Sequence, residues 1–296
     1  MPEVAAVPEV LRYAAFTDAG RGGNPAGVVL DAAGMDDAAM LAVARDVGYS
    51  ETAFVTAGAP GRRTVRYFSP EGEVAFCGHA TVATAVALAE RWTSSGGTAG
   101  DRPAGDLHLA LDTPAGTVHV STATLGSDVT ATLTSVPTRT EPAAPAPVAA
   151  ALAALRWRPD DLDHRYPVHV AYAGNDHLVL GVRSRAVLAG LDYDYRALRE
   201  LMAAEGWTTV HAFWAETDVL FHARDPFPPG GVVEDPATGA AAAAFGGYLR
   251  SLGLVRPGTR VTIRQGEDMG RPSLLLVDVD ARPAGVRVTG SAAPIP

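Results

Sequence analysis

Cys77, Gly78 and His79 place a thiol, a glycine and an imidazole side by side at the expected start of a helix. Residues 83–90, which follow, form an Ala-rich run without Gly or Pro. Backbone N–H groups at a helix start have no partner within the helix, and the helix dipole adds partial positive charge there. Because a Gly lets a ligand approach the backbone closely, this stretch predicts a pocket for a small anion such as a carboxylate. The alternative is an ordinary helix start that the His79 side chain caps.

A second copy of this pattern lies later in the chain. When Phe213 is aligned with Phe54, Gly231 falls on Gly72. Each copy ends in an Ala-rich run, so we expect two similar halves that each offer a helix start. Duplicated halves that face each other enclose a cleft, where pockets are common. We therefore expect the functional site between the halves.

Composition limits the class of protein. At 296 residues the chain is long enough for about two domains, and its 47% hydrophobic and 19% charged residues are typical of a globular protein. A net charge of −9 without a basic run disfavours nucleic acid and anionic membranes as partners. The single cysteine excludes an internal disulfide and a Cys-based zinc cluster.

The chain contains no lysine. Pyridoxal-phosphate enzymes need a Schiff-base Lys and P-loops need a phosphate-binding Lys, so both classes are excluded. No His-Glu-x-x-His pattern occurs, and the glycine cluster at 20–25 contains Pro25 where a dinucleotide motif needs helix-compatible residues. We predict a protein that uses no cofactor and binds no metal.

The sequence shows no pattern typical of export or of membrane insertion. The first ten residues are acidic and interrupted by prolines, unlike a signal peptide. No apolar run is long enough to cross a membrane. We therefore expect a cytoplasmic protein.

Periodic patterns place Glu51 at the start of a strand. Residues 50–55 form the expected strand, and residues 63–68 can pair with it. Before that strand, apolar positions at i, i+3, i+4 and i+7 predict a helix over about 36–47, which Gly48 ends. The order helix, glycine, strand thus leads directly to Glu51.

The same order recurs in the second half. A helix over Tyr195–Glu205 ends at Gly206 and leads to a strand at 208–213, in which Val210 occupies the position of Glu51. The second half is therefore expected to repeat the elements without repeating the carboxylate.

Two hairpins and a proline-rich segment complete the pattern. The hairpins are expected at 107–120 and 260–279. The proline-rich residues 141–147 are the expected connection, and we divide the chain into halves at 1–135 and 136–296. The expected fold class is α+β, with a mostly antiparallel sheet and few helices in each half.

Five short blocks follow one another along nearly the whole chain: Gly23-Asn24-Pro25-Ala26, Ser50-Glu51-Thr52-Ala53-Phe54-Val55, Phe76-Cys77-Gly78-His79-Ala80-Thr81, Glu234-Asp235-Pro236-Ala237-Thr238-Gly239, and Gln265-Gly266 with Gly270-Arg271-Pro272-Ser273. They resemble the signature blocks of the phenazine-biosynthesis isomerase (PhzF-like) family, of the diaminopimelate-epimerase-like superfamily. The resemblance implies two pseudo-symmetric halves, each a mostly antiparallel sheet wrapped round a central helix. It also implies a cofactor-independent isomerase that is usually a homodimer.

The resemblance implies roles for particular residues. Glu51 matches the family's general acid/base, and His79 and Asp235 match its polar partners. A carboxylate beside an apolar strand suits the uptake and return of one proton. The backbone positions that match the contacts to the substrate carboxylate are Gly78, His79, Gly239 and Ala240. Without the resemblance, Asp235 would be a helix N-cap and His79 a packed structural residue.

Two departures from the family's pattern bear on the reaction. Ala240 stands where the family often has Ser, so one hydroxyl contact is missing and the phenazine substrate itself is not implied. The related two-thiol epimerases need a Cys in each half, and here Cys77 matches the first while Pro236 stands at its counterpart. We interpret Cys77 as a packing residue.

The predicted function is a cofactor-independent isomerase that acts on a small carboxylate-bearing intermediate of secondary metabolism. It would move a proton, by a double-bond shift or an epimerisation, with Glu51 as the general acid/base in the cleft. One alternative is a one-thiol epimerase that uses Cys77 and Glu51. Another is a non-catalytic binder on the same fold, although binding alone needs no acid/base.

Overall fold

Two units, each assembled from more than one chain segment, make up the part of the chain that the computed structural model describes. The described residues are 8–59, 61–94, 107–125, 128–280 and 285–296, so the start of the N-terminal segment considered above lies outside them. Unit 1 consists of the described residues up to Ala15, of Pro25–Leu133 and of Ser291–Pro296. Unit 2 consists of Phe16–Asn24 and Thr134–Gly290.

Strands outnumber helices throughout. The first elements along the chain are β1 (Leu11–Ala15), β2 (Asn24–Val29), α1 (Asp37–Val47), β3 (Thr52–Ala57), β4 (Arg62–Phe68), β5 (Glu73–Val74), α2 (Gly78–Ser94), β6 (His108–Thr113), β7 (Gly116–Leu125) and β8 (Asp128–Thr134). The remaining elements are β9 (Arg139–Pro142), α3 (Pro145–Ala154), β10 (His169–Tyr172), β11 (Asp176–Gly181), α4 (Arg185–Ala189), α5 (Tyr195–Glu205), β12 (Trp207–Ala215), β13 (Leu220–Pro226), β14 (Glu234–Asp235), α6 (Gly239–Ser251), β15 (Thr259–Gln265), β16 (Ser273–Val279) and β17 (Arg287–Pro294).

The two units repeat one order of strand pairing. In unit 1, β3 is parallel to β2 and antiparallel to β4, while β4 is antiparallel to β5 and parallel to β6, which pairs antiparallel with β7. In unit 2, β11 to β16 repeat this order, strand for strand. Parallel neighbours need a crossover connection, and helices lie in each of these connections. The expected α+β fold with two similar halves is confirmed.

A buried helix forms the centre of each unit. In α2 and the residue before it, every residue of 77–87 is buried, and α2 packs against β1, β3 and β7. In α6, residue 239 and residues 241–249 are buried, and α6 packs against β9, β10, β11, β12 and β16. A helix that is buried on all sides belongs to the core rather than to the surface. These are the two central helices that the resemblance implied.

Close packing around α6 depends on two of its glycines. A Cβ on Gly246 would lie 2.8 Å from Val277 Cγ1 and 2.9 Å from Val286 Cγ1. A Cβ on Gly247 would lie 2.5 Å from Thr138 Cβ. The strand β16 and the residues just before β9 and β17 therefore approach this helix more closely than any side chain at these two positions would allow.

Local capping residues set the bounds of α1 and α5, the helices that precede the two central helices in the chain. Asp36 accepts a hydrogen bond from the backbone N–H of Ala39 at the start of α1, and Gly48 ends that helix with φ 70°. The helix α5 has the predicted bounds, with Asp194 as its N-cap. Gly206 ends it with φ 74°, in the left-handed conformation that Gly adopts at low cost.

The proline-rich residues 141–147 do not connect the units. They end β9, which pairs with β10, and they begin α3, which has Pro145 in its first turn. Proline is tolerated at the start of a helix because the first N–H groups have no partner within the helix. The long segments of the two units, Pro25–Leu133 and Thr134–Gly290, instead join between Leu133 and Thr134.

None of the described helices combines the length and the hydropathy that a membrane-spanning helix requires.

Candidate active site

Glu51 is the residue immediately before β3, and its backbone ties that strand to β2. The Glu51 carbonyl accepts a hydrogen bond from Gly27 N–H at 3.2 Å. A Cβ on Gly27 would lie 2.6 Å from Thr52 Oγ1, so this glycine lets the two parallel strands approach each other. The Glu51 side chain is 12% exposed, and its Oε2 lies 3.4 Å from His79 Nε2.

The Oε2 atom of Glu51 is buried and accepts no hydrogen bond from the part of the chain that the structure describes. His79 Nε2 is close to it but does not form a well-aligned donor contact. A buried acceptor without a donor costs about 1–3 kcal/mol. This oxygen therefore has acceptor capacity that a bound ligand could use.

His79 is the second residue of α2, and its ring lies among polar groups of unit 1. Its Nε2 is 3.5 Å from Ser50 Oγ, and its Nδ1 is 3.3 Å from Cys77 Sγ. Burial lowers the pKa of His79 below its ordinary value, while the Glu51 charge and a hydrogen bond with the Pro25 backbone act in the opposite direction. The ring is therefore neutral near neutral pH and can donate from one nitrogen and accept at the other.

Cys77 immediately precedes the first residue of α2. Its carbonyl accepts hydrogen bonds from the backbone N–H of Thr81 at 3.0 Å and from Thr81 Oγ1 at 2.6 Å. Its thiol is buried and contacts both ring nitrogens of His79, at 3.3 and 3.8 Å. Ligand atoms of Glu51, Cys77 and His79 all lie within 4.8 Å of one another, which makes them a group that could hold a metal ion.

Asp235 ends β14 in unit 2, where several buried polar side chains surround it. Its Oδ1 accepts a hydrogen bond from Asn24 Nδ2 at 2.5 Å, and its Oδ2 accepts one from Thr238 Oγ1 at 2.7 Å. Gln265 Nε2 donates to the Asp235 carbonyl at 2.7 Å and to Thr238 Oγ1 at 3.0 Å. These bonds hold the Asp235 carboxylate in one orientation.

Gly239 and Ala240, the other predicted positions of unit 2, begin α6 close after Asp235. The backbone N–H of Thr238 donates to Gln265 Oε1 at 3.1 Å. Sequence reasoning gave no site role to Asn24, Thr238 or Gln265, although all three lie in the sequence blocks quoted above. Their positions in those blocks were the available signal, because the hydrogen bonds that join them span distant parts of the chain.

The structure corrects the alignment of the two halves near these helix starts. The short strands β5 and β14 are each followed, after the same number of residues, by Gly78 and Gly239 as first helical residues. Cys77 therefore corresponds to Thr238 and not to Pro236. The pairing of β3 with β4 and of β12 with β13 likewise places Thr209, rather than Val210, at the position of Glu51.

The predicted site residues thus form two groups. Glu51, Gly78 and His79 lie together in unit 1, whereas Asp235, Gly239 and Ala240 lie together in unit 2. That the two groups form a single site stays a prediction.

Comparison with known proteins identifies the family. The family model described as phenazine biosynthesis-like protein (PhzC-PhzF) matches residues 13–295. The chain belongs to the PhzF family. An uncharacterized isomerase of Deinococcus radiodurans is 35% identical over 285 residues, which cover 93% of this chain and 87% of that protein. The trans-2,3-dihydro-3-hydroxyanthranilate isomerase of Pseudomonas chlororaphis is 30% identical over 271 residues, covering 90% of this chain and 89% of that protein. This PhzF-family chain is therefore an isomerase.

Solved structures of PhzF relatives have the same fold. A predicted epimerase from Pseudomonas aeruginosa has a TM-score of 0.80 at 26% identity, over 98% of this chain and 97% of that chain. A PhzF-family phenazine biosynthesis protein from Bacillus anthracis has a TM-score of 0.81 at 24% identity, over 97% of this chain and 96% of that chain. The likeness extends to a probable proline racemase from Agrobacterium radiobacter, with a TM-score of 0.64 at 15% identity, over 97% of this chain and 90% of that chain. These matches confirm the expected epimerase-like fold.

Proposed function

We propose that this PhzF-family protein is a cofactor-independent isomerase in which Glu51 moves a proton between two atoms of a small carboxylate substrate. The observation that carries the proposal is the buried Oε2 of Glu51, which has no hydrogen-bond donor among the described residues and lies 3.4 Å from His79. A general base needs an acceptor within reach of the proton that it removes. The other predicted carboxylate, Asp235, already accepts two side-chain hydrogen bonds.

The proton balance of the reaction needs no other reactant. Glu51 Oε2 removes a carbon-bound proton, and the electron pair of that C–H bond passes into the conjugated system of the substrate. Glu51 then returns the same proton to another carbon, which shifts a double bond. In an epimerisation, a second acid would instead give its own proton to the opposite face of the same carbon, and Glu51 would keep the proton that it removed. No electrons leave the substrate, so no oxidant takes part.

Backbone groups at the helix starts would bind the substrate carboxylate. The first N–H groups of α2, at Gly78 and His79, carry the partial positive charge of the helix dipole. In this proposal, Gly239 and Ala240 at the start of α6 contribute in the same way, and Asp235 and His79 position the polar groups of the substrate. A fixed carboxylate leaves only the proton to move, which lowers the entropic part of the barrier.

The relatives and Ala240 support a proposal for the class of substrate. One relative is named for an isomerase of trans-2,3-dihydro-3-hydroxyanthranilate. We propose a small unsaturated carboxylate from a biosynthetic pathway, but one that does not require the hydroxyl contact that a Ser at position 240 would make. We further propose that the enzyme acts as a cytoplasmic homodimer, as the family resemblance implies, and analytical ultracentrifugation would measure its mass.

Isotope exchange tests the proton transfer. Candidate carboxylates are incubated with the protein in heavy water, and proton NMR follows the loss of C–H signals, so the product need not be known. Deuterium should enter the new C–H position, less than completely if Glu51 shields the proton from solvent.

Glu51→Gln keeps the shape of the side chain and removes the base. Isomerisation should fall by about 10²-fold or more, while ligand binding persists. Glu71→Gln, a change of the same type at an exposed turn of unit 1, is the matched control and should retain the wild-type rate. Turnover of Glu51→Gln at the wild-type rate would show that another group is the base.

The one-thiol epimerase remains a second candidate because of one contact. Cys77 Sγ lies 3.3 Å from His79 Nδ1, so a neutral imidazole could accept the thiol proton. The non-catalytic binder is set aside, since the relatives identify the chain as an isomerase.

A further inference from the structure

Three different metal-ligand types meet at the start of α2. Glu51 Oε2 lies 3.4 Å from His79 Nε2, and Cys77 Sγ lies 3.8 Å from the same nitrogen. All three ligand atoms lie within 4.8 Å of one another. Their side chains are buried or nearly so, with His79 only 6% exposed and Glu51 12% exposed.

These separations fit a tetrahedral metal. In a zinc site, bond lengths of about 2.0–2.3 Å place neighbouring ligand atoms about 3.3–3.6 Å apart. The distance from His79 Nε2 to Glu51 Oε2 falls in that range, and the distance from Nε2 to Cys77 Sγ exceeds it only slightly. Small side-chain rotations would bring all three atoms to bonding distance from one ion.

The chemistry of the three ligands selects the class of ion. A thiolate and a carboxylate together neutralise a dication, and an imidazole completes a set that is typical of zinc rather than of magnesium or calcium. A metal would also give Glu51 Oε2 the partner that the described residues do not supply. Three protein ligands leave a fourth position for water or for the carboxylate of a ligand.

We propose that Glu51, Cys77 and His79 form a three-ligand site for Zn²⁺ or a similar dication, and that a metal bound there inhibits the isomerase by occupying the oxygen that must take up the proton. The inhibition rests on the role proposed above for Glu51, whereas the binding does not. The reaction itself needs no metal, so protein treated with a chelator should be active and Zn²⁺ should suppress that activity.

Cobalt spectroscopy tests the site without any substrate. Co²⁺ added to chelator-treated protein should give a thiolate-to-cobalt charge-transfer band in the near ultraviolet, together with the intense visible bands of four-coordinate cobalt, and Zn²⁺ should abolish both. Cys77→Ser should lose the charge-transfer band and bind Co²⁺ about tenfold or more weakly. Absence of the charge-transfer band from the wild-type protein, or its persistence in Cys77→Ser, would overturn the proposed site.

A matched control separates this site from other histidine and carboxylate groups. His222 lies 2.7 Å from Glu216 Oε2 and 2.7 Å from Glu267 Oε2 in unit 2. His222→Gln should leave the charge-transfer band unchanged, since the single cysteine of the chain belongs to the group in unit 1. A loss of the band in His222→Gln would place the metal elsewhere and contradict the proposal.

The activity measurement keeps the two proposals distinct. The Zn²⁺ concentration that halves the activity of Cys77→Ser, whatever its own rate, should be about tenfold or more above that of the wild type. Equal sensitivity of the two proteins would contradict inhibition through this site. A cobalt spectrum as expected, with no isomerisation of any carboxylate tested, would support the metal site and count against the proposed reaction alone.

Discussion

Glu51 and Asp235 are both largely buried carboxylates, but their hydrogen bonding differs. Asp235 accepts hydrogen bonds from Asn24 and Thr238, whereas Glu51 Oε2 accepts none from the described residues. Hydrogen bonds occupy the lone pairs of a carboxylate and restrict its rotation. This difference is the basis for proposing Asp235 as the group that orients the substrate and Glu51 as the group that exchanges the proton.

Asn24→Ala tests the orienting role of Asp235. The change removes the donor 2.5 Å from Asp235 Oδ1, so we expect a loss of about 1–3 kcal/mol in the free energy of unfolding. A carboxylate that can turn positions substrate poorly, and kcat/KM should fall by about tenfold or more. Enzyme kinetics and urea denaturation measure the two effects.

Asn175→Ala is the matched control for Asn24→Ala. Asn175 is the half-buried asparagine of the turn between β10 and β11, and it follows a glycine as Asn24 does. Its replacement should leave kcat/KM close to that of the wild type. An equal loss of activity in both variants would mean that the effect of Asn24 is not specific to Asp235.

Cys77→Ser distinguishes the two candidate mechanisms. If Glu51 is the base, the variant should lose less than about tenfold in rate, because the serine occupies the same space and no partner thiol is required. A thiol mechanism predicts a loss of about three orders of magnitude, or about 4 kcal/mol in the barrier. Steady-state kinetics in chelator-treated buffer gives the answer.

For individual residues, the sequence blocks predicted that Glu51, His79 and Asp235 share one site. The structure describes the contact of Glu51 with His79, and the meeting of both with Asp235 stays a prediction. The blocks did not predict that Asn24 donates to Asp235, because 211 positions separate the two residues along the chain. Only the folded arrangement of β2, β14 and β15 brings Asn24, Asp235 and Gln265 into one hydrogen-bonded group.

Among the elements, the helices with strong caps were predicted most closely. Asp194 and Gly206 set the bounds of α5, since the cap and the left-handed glycine are local signals. The segment 141–147 was misinterpreted because prolines favour linkers and helix starts alike. The pairing of β9 with β10 that decides between the two is not a local property.

Gly246→Ala tests how closely the strands approach α6. The new Cβ would lie 2.8 Å from Val277 and 2.9 Å from Val286, and such overpacking costs about 1–3 kcal/mol. This exceeds the gain of about 0.5–1 kcal/mol that Ala brings within a helix. Urea denaturation should therefore show a lower midpoint.

Gly72→Ala is the control for Gly246→Ala. A Cβ at Gly72 would meet no atom within 4 Å, so the midpoint should change little. If Gly246→Ala proved as stable as this control, Val277 and Val286 would be able to move away from α6, and the packing there would be looser than described.

The buried histidine of β11 makes unit 2 sensitive to acid. His177 is fully buried, with Nδ1 2.8 Å from Thr209 Oγ1. Burial, with a smaller contribution from nearby His211, lowers the pKa of His177 to about 3. Between about pH 6.5 and about 3 the unfolded chain therefore holds a proton that the folded one lacks. As the pH falls through that window, the contribution of this group should lower the free energy of unfolding by up to about 1.4 kcal/mol per pH unit.

Urea denaturation between pH 7 and pH 5 measures that slope. His79, whose pKa burial also lowers, contributes with the same sign. His177→Gln should flatten the dependence, and the exposed control His164→Gln should not. An identical slope in wild type and His177→Gln would show that His177 takes no part.

For the whole molecule, the two units repeat one order of strand pairing. This repeat explains why the sequence around Gly78 has a recognisable second copy around Gly239. An ungapped alignment nonetheless slipped before the helix starts, because the connection from β13 to β14 is longer than that from β4 to β5. The slip changed the counterpart of Cys77 from Thr238 to Pro236. Neither residue is a thiol, so the interpretation of Cys77 is unaffected.

The strand β17 begins in unit 2 and ends in unit 1, where its residues Ala292, Ala293 and Pro294 pair with β1. On the ribosome, β1 emerges before either segment of unit 2, and this partner emerges only after both of them. One edge of β1 must therefore stay open throughout translation, and open strand edges invite pairing with other chains. Although β1 is made before any of unit 2, the sheet of unit 1 is completed only by residues synthesised after position 290.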